Sequence, residues 1–245
     1  MARRAAKIKE VRAQNVHVLV LDAGNSLVGD QPYTQETKGA ISVDAMNRMG
    51  YDAMAMGLMD LRIGVEALRE RMKQAQFPFL SANVRVEGSG ELVAQDYVIR
   101  NVAGHQVAIV GLTETGTVVG FSIADPLATI KQLMPEVVRQ ADIVILLTHT
   151  PVSVARQIAA QVAGIDLIVC GGDEPLPVGE MTSGGTLIVR ADTATPGHAG
   201  RHLGIAKVDF DERGTITYQT NTIVPLSEAL PEDPDMVEWL RQAVR

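Results

Sequence analysis

Histidine and carboxylate side chains that follow apolar runs are the residues of this chain best placed to do chemistry. His149 closes the run Ile143–Leu147 within Thr148-His149-Thr150. Asp22 closes Val16–Asp22 and is followed by Ala23-Gly24-Asn25. Asp60 lies just beyond the short run Ala53–Met56, and Asp173 and Glu174 lie beyond Ile165–Val169. Carboxylates and imidazoles gathered at strand ends hold hard cations or move protons. Each also has a plain structural reading. Asp22-Ala-Gly-Asn is a strand-to-turn junction. Asp173 and Glu174 are solvated turn acids. A lone His at a strand end is usually a hydrogen-bonded structural residue. His198 and His202 stand four apart, but Gly200 between them argues against a helical metal pair. Cys170, the single cysteine, ends an apolar strand and reads as an inert core thiol. There is no Gly-rich phosphate loop and no nucleophile elbow.

The elements that must carry these residues alternate between strand and helix. Residues 2–13 read as an amphipathic helix with Ala5, Ile8 and Val11 on one face. Val16–Asp22 reads as a strand covered on both faces, because it is apolar with little alternation. A helix ending at Gly50, the strand Ala53–Met56 and a tight loop from Gly57 follow, then a helix over Gly64–Ala75 broken by Pro78. Phe79–Val86 is expected as strand and loop, and 97–102 with 106–112 as a hairpin joined near Gly104. Further helices are expected over 126–140, 152–162 and 235–244, and strands over 143–147, 165–169, 185–190, 204–210 and 215–221. Such strand–loop–helix units predict an α/β fold, whose loops carry chemistry.

One stretch carries a resemblance. Residues 38–64, KGAISVDAMNRMGYDAMAMGLMDLRIG, are similar to the 5'-nucleotidase branch of the calcineurin-like metallophosphoesterases, which read Met-Asn-x-x-Gly-Tyr-Asp-Ala, then Gly-Asn-His-Glu-Phe-Asp and a Gly. The scaffold matches at Lys38, Gly39, Met46, Asn47, Gly50, Tyr51, Asp52, Ala53, Gly57 and Gly64. Ser81-Ala82-Asn83, the segment VAIVGLTET, and Gly200, Leu203 and Gly204 match further family segments. The site positions differ. Leu58 stands where the family has a metal-binding Asn, Met59 where it has the catalytic His, Asp60 for Glu and Arg62 for Asp. Asn25 stands where an Asp bridges two metals, and Asp173 and Pro175 where two His bind metal. His149 alone keeps its family identity as a ligand. Pro175 has no side-chain donor, and a neutral amide at 25 lacks the bridging charge of a carboxylate.

The resemblance implies a four-layer αββα sandwich of two mixed sheets, with the family's first strand and its Asp-x-His pair missing. It divides the chain into a metallophosphoesterase-like domain over 1–230 and a linker-type helix over 231–245. It implies a domain that has lost two-metal hydrolysis and acts as a binding or structural subunit, with no metal cofactor. The alternative is an active phosphoesterase using Asp22, Asp60, His149 and Asp173 with manganese or zinc. A protein partner or second copy is expected over the site or over the uncovered sheet flank.

Composition narrows the field. The 245 residues carry a net charge of -7, which argues against broad nucleic-acid binding. No apolar run approaches the roughly 20 residues of a membrane span. One cysteine permits no internal disulfide, and the basic start lacks the apolar segment of a signal peptide. The chain as it stands is expected in the cytoplasm, and in an exported protein if the native start lies upstream of Met1.

Overall fold

The run Ile143–His149 is buried at all seven positions, which places it at the middle of a covered sheet. The computed structural model describes residues 1–172, 174–176, 179–191 and 200–244. Its elements in chain order are α1 (Ala2–Gln14), β1 (Leu21–Asp22), α2 (Pro32–Glu36), α3 (Ala40–Met49), β2 (Ala53–Ala55), α4 (Leu58–Leu61), α5 (Val65–Gln74), β3 (Phe79–Leu80), β4 (Val84–Val86), β5 (Tyr97–Val102), β6 (His105–Thr113), β7 (Phe121–Ile123), α6 (Pro126–Val137), β8 (Ile143–His149), α7 (Val152–Gln161), β9 (Leu167–Cys170), β10 (Glu180–Met181), β11 (Leu187–Arg190), β12 (His202–Phe210), β13 (Ile216–Pro225) and α8 (Pro234–Ala243).

Six strands form one mixed sheet in the order β10-β11-β9-β8-β6-β5. Period-2 alternation gives it two apolar faces. Val110, Leu146 and Ile168 point to α6 and α7, while Val107, Ile109, Leu147 and Val189 point inward. The facing layer combines the parallel triplet β1-β2-β3 with the antiparallel hairpin β12-β13. Ala53, Ala55 and Leu80 meet Ile109 and Leu147 between the layers. Val208, Phe210 and Ile216 of the hairpin cover Val107, Ile143 and Val189. On the far side of this layer α1, α3, α5 and α8 close a second core around Met54, Met56 and Leu68. The four-layer arrangement expected from the resemblance is therefore present. At Gly111 the two sheets come so close that a Cβ would lie 2.4 Å from the Leu80 backbone.

Several elements differ from the sequence reading. Phe79–Val86, expected as strand and loop, holds two short strands: β3 joins β2, while β4 pairs with β7, which the sequence did not signal. The break follows from Ser81 and Asn83, whose side chains turn inward to Thr113. The expected loop after Gly57 opens as α4, because the Asp60 carboxylate accepts the Gly57 N–H and caps that turn. His202 starts a strand rather than lying in a loop, since its segment pairs with β13 from His202↔Pro225 onward. His198 and Asp173 lie outside the described residues. The closing helix α8 begins at its Asp233 cap and packs Met236, Val237, Trp239 and Leu240 into the core under α1. Among the described residues no helix is long and apolar enough to cross a membrane.

Candidate functional site

The loops leaving the C-terminal ends of β1, β2, β6, β8 and β9 converge, where open α/β sheets place their ligands. The first begins with an Asx turn. One Asp22 oxygen accepts the Gly24 N–H at 2.9 Å and the other accepts the Ser26 hydroxyl at 2.9 Å. This bends the chain into the left-handed region at Gly24 (φ 97) and Asn25 (φ 58), which Gly and Asn tolerate best. Burial pushes the Asp22 carboxyl up, against the pull of those two hydrogen bonds and the nearby Arg4.

Asn25 then reaches two other loops. Its Oδ1 accepts the Met59 N–H at 2.9 Å, which fixes the amide's orientation and turns Nδ2 toward His149 Nε2, 2.8 Å away. His149 Nδ1 lies 2.9 Å from the Ala23 carbonyl oxygen. A carbonyl only accepts, so Nδ1 carries the proton and Nε2 accepts from Asn25. Both ring nitrogens are thus committed to the protein. The ring is packed as closely as it is bonded: a Cβ at Gly171 would stand 2.4 Å from Nδ1, and one at Gly57 would stand 2.1 Å from Asn25 Oδ1. Glu114 Oε1 is 3.9 Å from Nε2, and the Glu114 N–H donates to the His149 carbonyl. Sequence reasoning did not single out Glu114. It directly follows Thr113 at the end of β6, and that position was the available signal.

Asp60 is wholly buried and does different work from a ligand. Oδ2 accepts the N–H groups of Asn25 (2.7 Å) and Gly57 (2.9 Å), and Oδ1 accepts that of Leu27 (2.9 Å). The carboxylate clamps the β1 and β2 loops together. Burial pushes its carboxyl up to about 6, outweighing the three donors. Beside it, Ser81, Asn83 and Thr113 stitch the layers: Thr113 Oγ1 donates to the Met56 carbonyl and Asn83 Nδ2 to the Thr113 carbonyl.

The remaining positions scatter. Leu58 is half-buried and packs where a Gly116 Cβ would sit. Met59 is 40% exposed. Pro175 is exposed. Glu174, expected as a solvated acid, instead accepts the Ser153 N–H and hydroxyl and caps the first turn of α7. Cys170 is buried and its thiol is pushed up to about 12 by burial, consistent with an inert core group. Arg190, which the sequence did not flag, is buried and donates to the carbonyls of Gly172 and Glu174. It ties the β9 loop to β11.

The kinship of the chain follows from comparison. It is 33% identical to bovine 5'-nucleotidase over 267 residues, covering 96% of this chain and 45% of that protein. The solved 5'-nucleotidase precursor of Thermus thermophilus superposes with a TM-score of 0.86 at 25% identity, over 99% of this chain and 52% of that one. This chain is a relative of the 5'-nucleotidase N-terminal domain. It spans about half the length of the curated relatives it matches. No protein-family model matches it. The 5'-nucleotidase fold is also shared with the SoxB sulfate thiohydrolase of Thermus thermophilus, at a TM-score of 0.86 and 23% identity over 99% of this chain. The fold alone therefore does not select a substrate.

The family resemblance implies divalent metals. Hard dications need several oxygen or imidazole donors facing one point. Among the described residues no three His, Cys, Asp or Glu side chains converge in that way. The His149 Nε2 lone pair meets an amide N–H, and the Asp60 oxygens meet three backbone donors. The described donor set does not fit a two-metal centre.

Proposed function

We propose that this domain is a 5'-nucleotidase framework that no longer runs two-metal phosphate-ester hydrolysis and acts as a binding or structural subunit. One observation carries the reading: Asn25 donates to the His149 nitrogen that a metal would need. With Asp at position 25 two acceptors would face each other, and a proton or cation would have to lie between them. With Asn the pair closes on itself. Met59 and Leu58 add no donor, and the Asp60 carboxylate in the same loop is taken up by three backbone N–H groups rather than left to act as a general base.

The test is metal analysis of protein purified without chelator, together with phosphate release from AMP and p-nitrophenyl phosphate in added manganese or zinc. The expected result is no stoichiometric metal and no turnover above a heat-treated control. Two tightly held divalent ions per chain, or sustained phosphate release, would sink the reading in favour of a phosphoesterase with remodelled ligands.

A further inference from the structure

Asn25, Leu58 and Met59 differ from the resembled motif by losing a donor or a charge. Arg62 differs in another way. Where the motif has Asp, this chain carries a cation. A charge reversal is not needed to empty a metal centre, and Arg62 takes no part in the hydrogen bonds of Asn25 and His149.

Arg62 sits at a corner between two loops. It ends α4, its N–H donating to the Met59 carbonyl, and Gly64 (φ 88) then turns the chain into α5. The loop after β6 lies opposite. Val118 is buried there and bridges to Phe121, and a Cβ at Gly120 would stand 3.6 Å from Val65 Cγ2. Between the two is a cavity of about 310 Å³ lined by Leu61, Arg62, Gly64, Thr117, Val118 and Val119. Pockets that hold small molecules begin at about 300 Å³. The space equals that of about ten water molecules at about 30 Å³ each.

The lining sets the chemistry of an occupant. Leu61 and Val118 are buried and give an apolar floor, and Val119 stands 93% exposed. Arg62 is exposed and is the one charged lining residue. Neither its guanidinium nor the Thr117 hydroxyl has a hydrogen bond or ion pair among the described residues. A lone guanidinium is matched by a monoanion, and its planar fork takes a carboxylate through two parallel N–H···O bonds. A phosphate dianion would keep one charge unmet. We infer that this corner binds an aliphatic monocarboxylate, with the carboxylate on Arg62 and Thr117 and the chain against Leu61, Val118 and Val119. The corner shares no residue with the Asn25–His149 pair and stands independently of the subunit reading.

Amide NMR titration of the full chain with sodium hexanoate, hexanol and hexylammonium tests it. Hexanoate should give saturable shifts at Arg62, Gly64, Thr117, Val118 and Val119 in the millimolar range, about fivefold more tightly than hexanol, the upper end for an exposed charge pair. Hexylammonium should bind no better than hexanol. In Arg62→Gln hexanoate should fall to the affinity of hexanol, whose own binding stays unchanged, and Val119→Ser should weaken both. Both substitutions are at exposed positions and should keep the wild-type unfolding midpoint. Equal binding of hexanoate and hexanol, no saturable shift, or full hexanoate affinity in Arg62→Gln would overturn the site. So would shifts centred on Asn25 and His149 in place of the corner. Metal content and AMP turnover are read separately. An active protein that binds hexanoate at the corner sinks the subunit reading alone, and an inactive one that fails to bind it sinks the corner alone.

Discussion

Two apolar runs of similar make-up have different fates in this fold. Residues 143–149 (IVILLTH) lie between β6 and β9, with a ladder on each side and every residue buried. Residues 16–22 (VHVLVLD) have a ladder on one side, strand geometry only at Leu21 and Asp22, and half-buried leucines. An apolar run records that a segment tolerates cover. The neighbours decide whether it gets any. The six-stranded sheet is held by its backbone ladders, whereas the β1–β2 side leans on side chains: Asp52 bonds Val20, Asp60 holds two loops, and Asn25 links them to His149.

Core truncations should break this comparison open most widely. Leu147→Ala, at a wholly buried position, should cost about 2–5 kcal/mol in urea unfolding. Leu21→Ala should cost about 1–2 kcal/mol, because less surface is withdrawn from water. Equal losses would mean that the β1 flank is as well covered as β8.

The pH dependence of the Asp60 clamp comes next. The folded carboxyl, at about 6, lies above the 3.8 of a free Asp, so the folded state binds the proton more tightly. That contribution is present below about pH 4 and is lost as pH rises through about 6. The stability of the wild type minus that of Asp60→Asn should therefore fall by up to about 3 kcal/mol across the window. A flat difference would show that the three amide donors cancel the effect of burial.

Asn25→Asp should cost about 1–3 kcal/mol at neutral pH, by setting a carboxylate oxygen against the His149 lone pair. Chemical denaturation with and without manganese checks it, and an unchanged midpoint would show that the pair is not holding the loops. Val119→Ser, at a position 93% exposed, should stay within about 0.5 kcal/mol of wild type.

Much of the scaffold was legible in the chain. Long periodic segments such as α6 and α7 and continuous runs such as β8 declared themselves, because their burial depends on their own pattern. Short elements did not. α4 exists because Asp60 bonds Gly57, and β4 separates from β3 because Ser81 and Asn83 turn toward Thr113. Asn25, Asp60 and His149 each stood out by position, but their bonding did not, since Asn25 and His149 are 124 residues apart. Asp60 entered the sequence reading as a ligand only in the active-phosphoesterase alternative. Its three backbone donors come from the folded loops. Glu114, inside the segment VAIVGLTET, and Arg190 were not singled out, and their roles arise only once β6 lies beside β8 and β11 beside β9.

The bare Cα of Gly111, pressed against the backbone of Leu80, works as a detent between the layers. At that point main chain rests on main chain, and the side chains packed between the layers lie on either side of it. Two of the clustered loops spring from one sheet and three from the other, so their spacing follows the contact between the layers. A side chain added at position 111 would have to push the two layers apart.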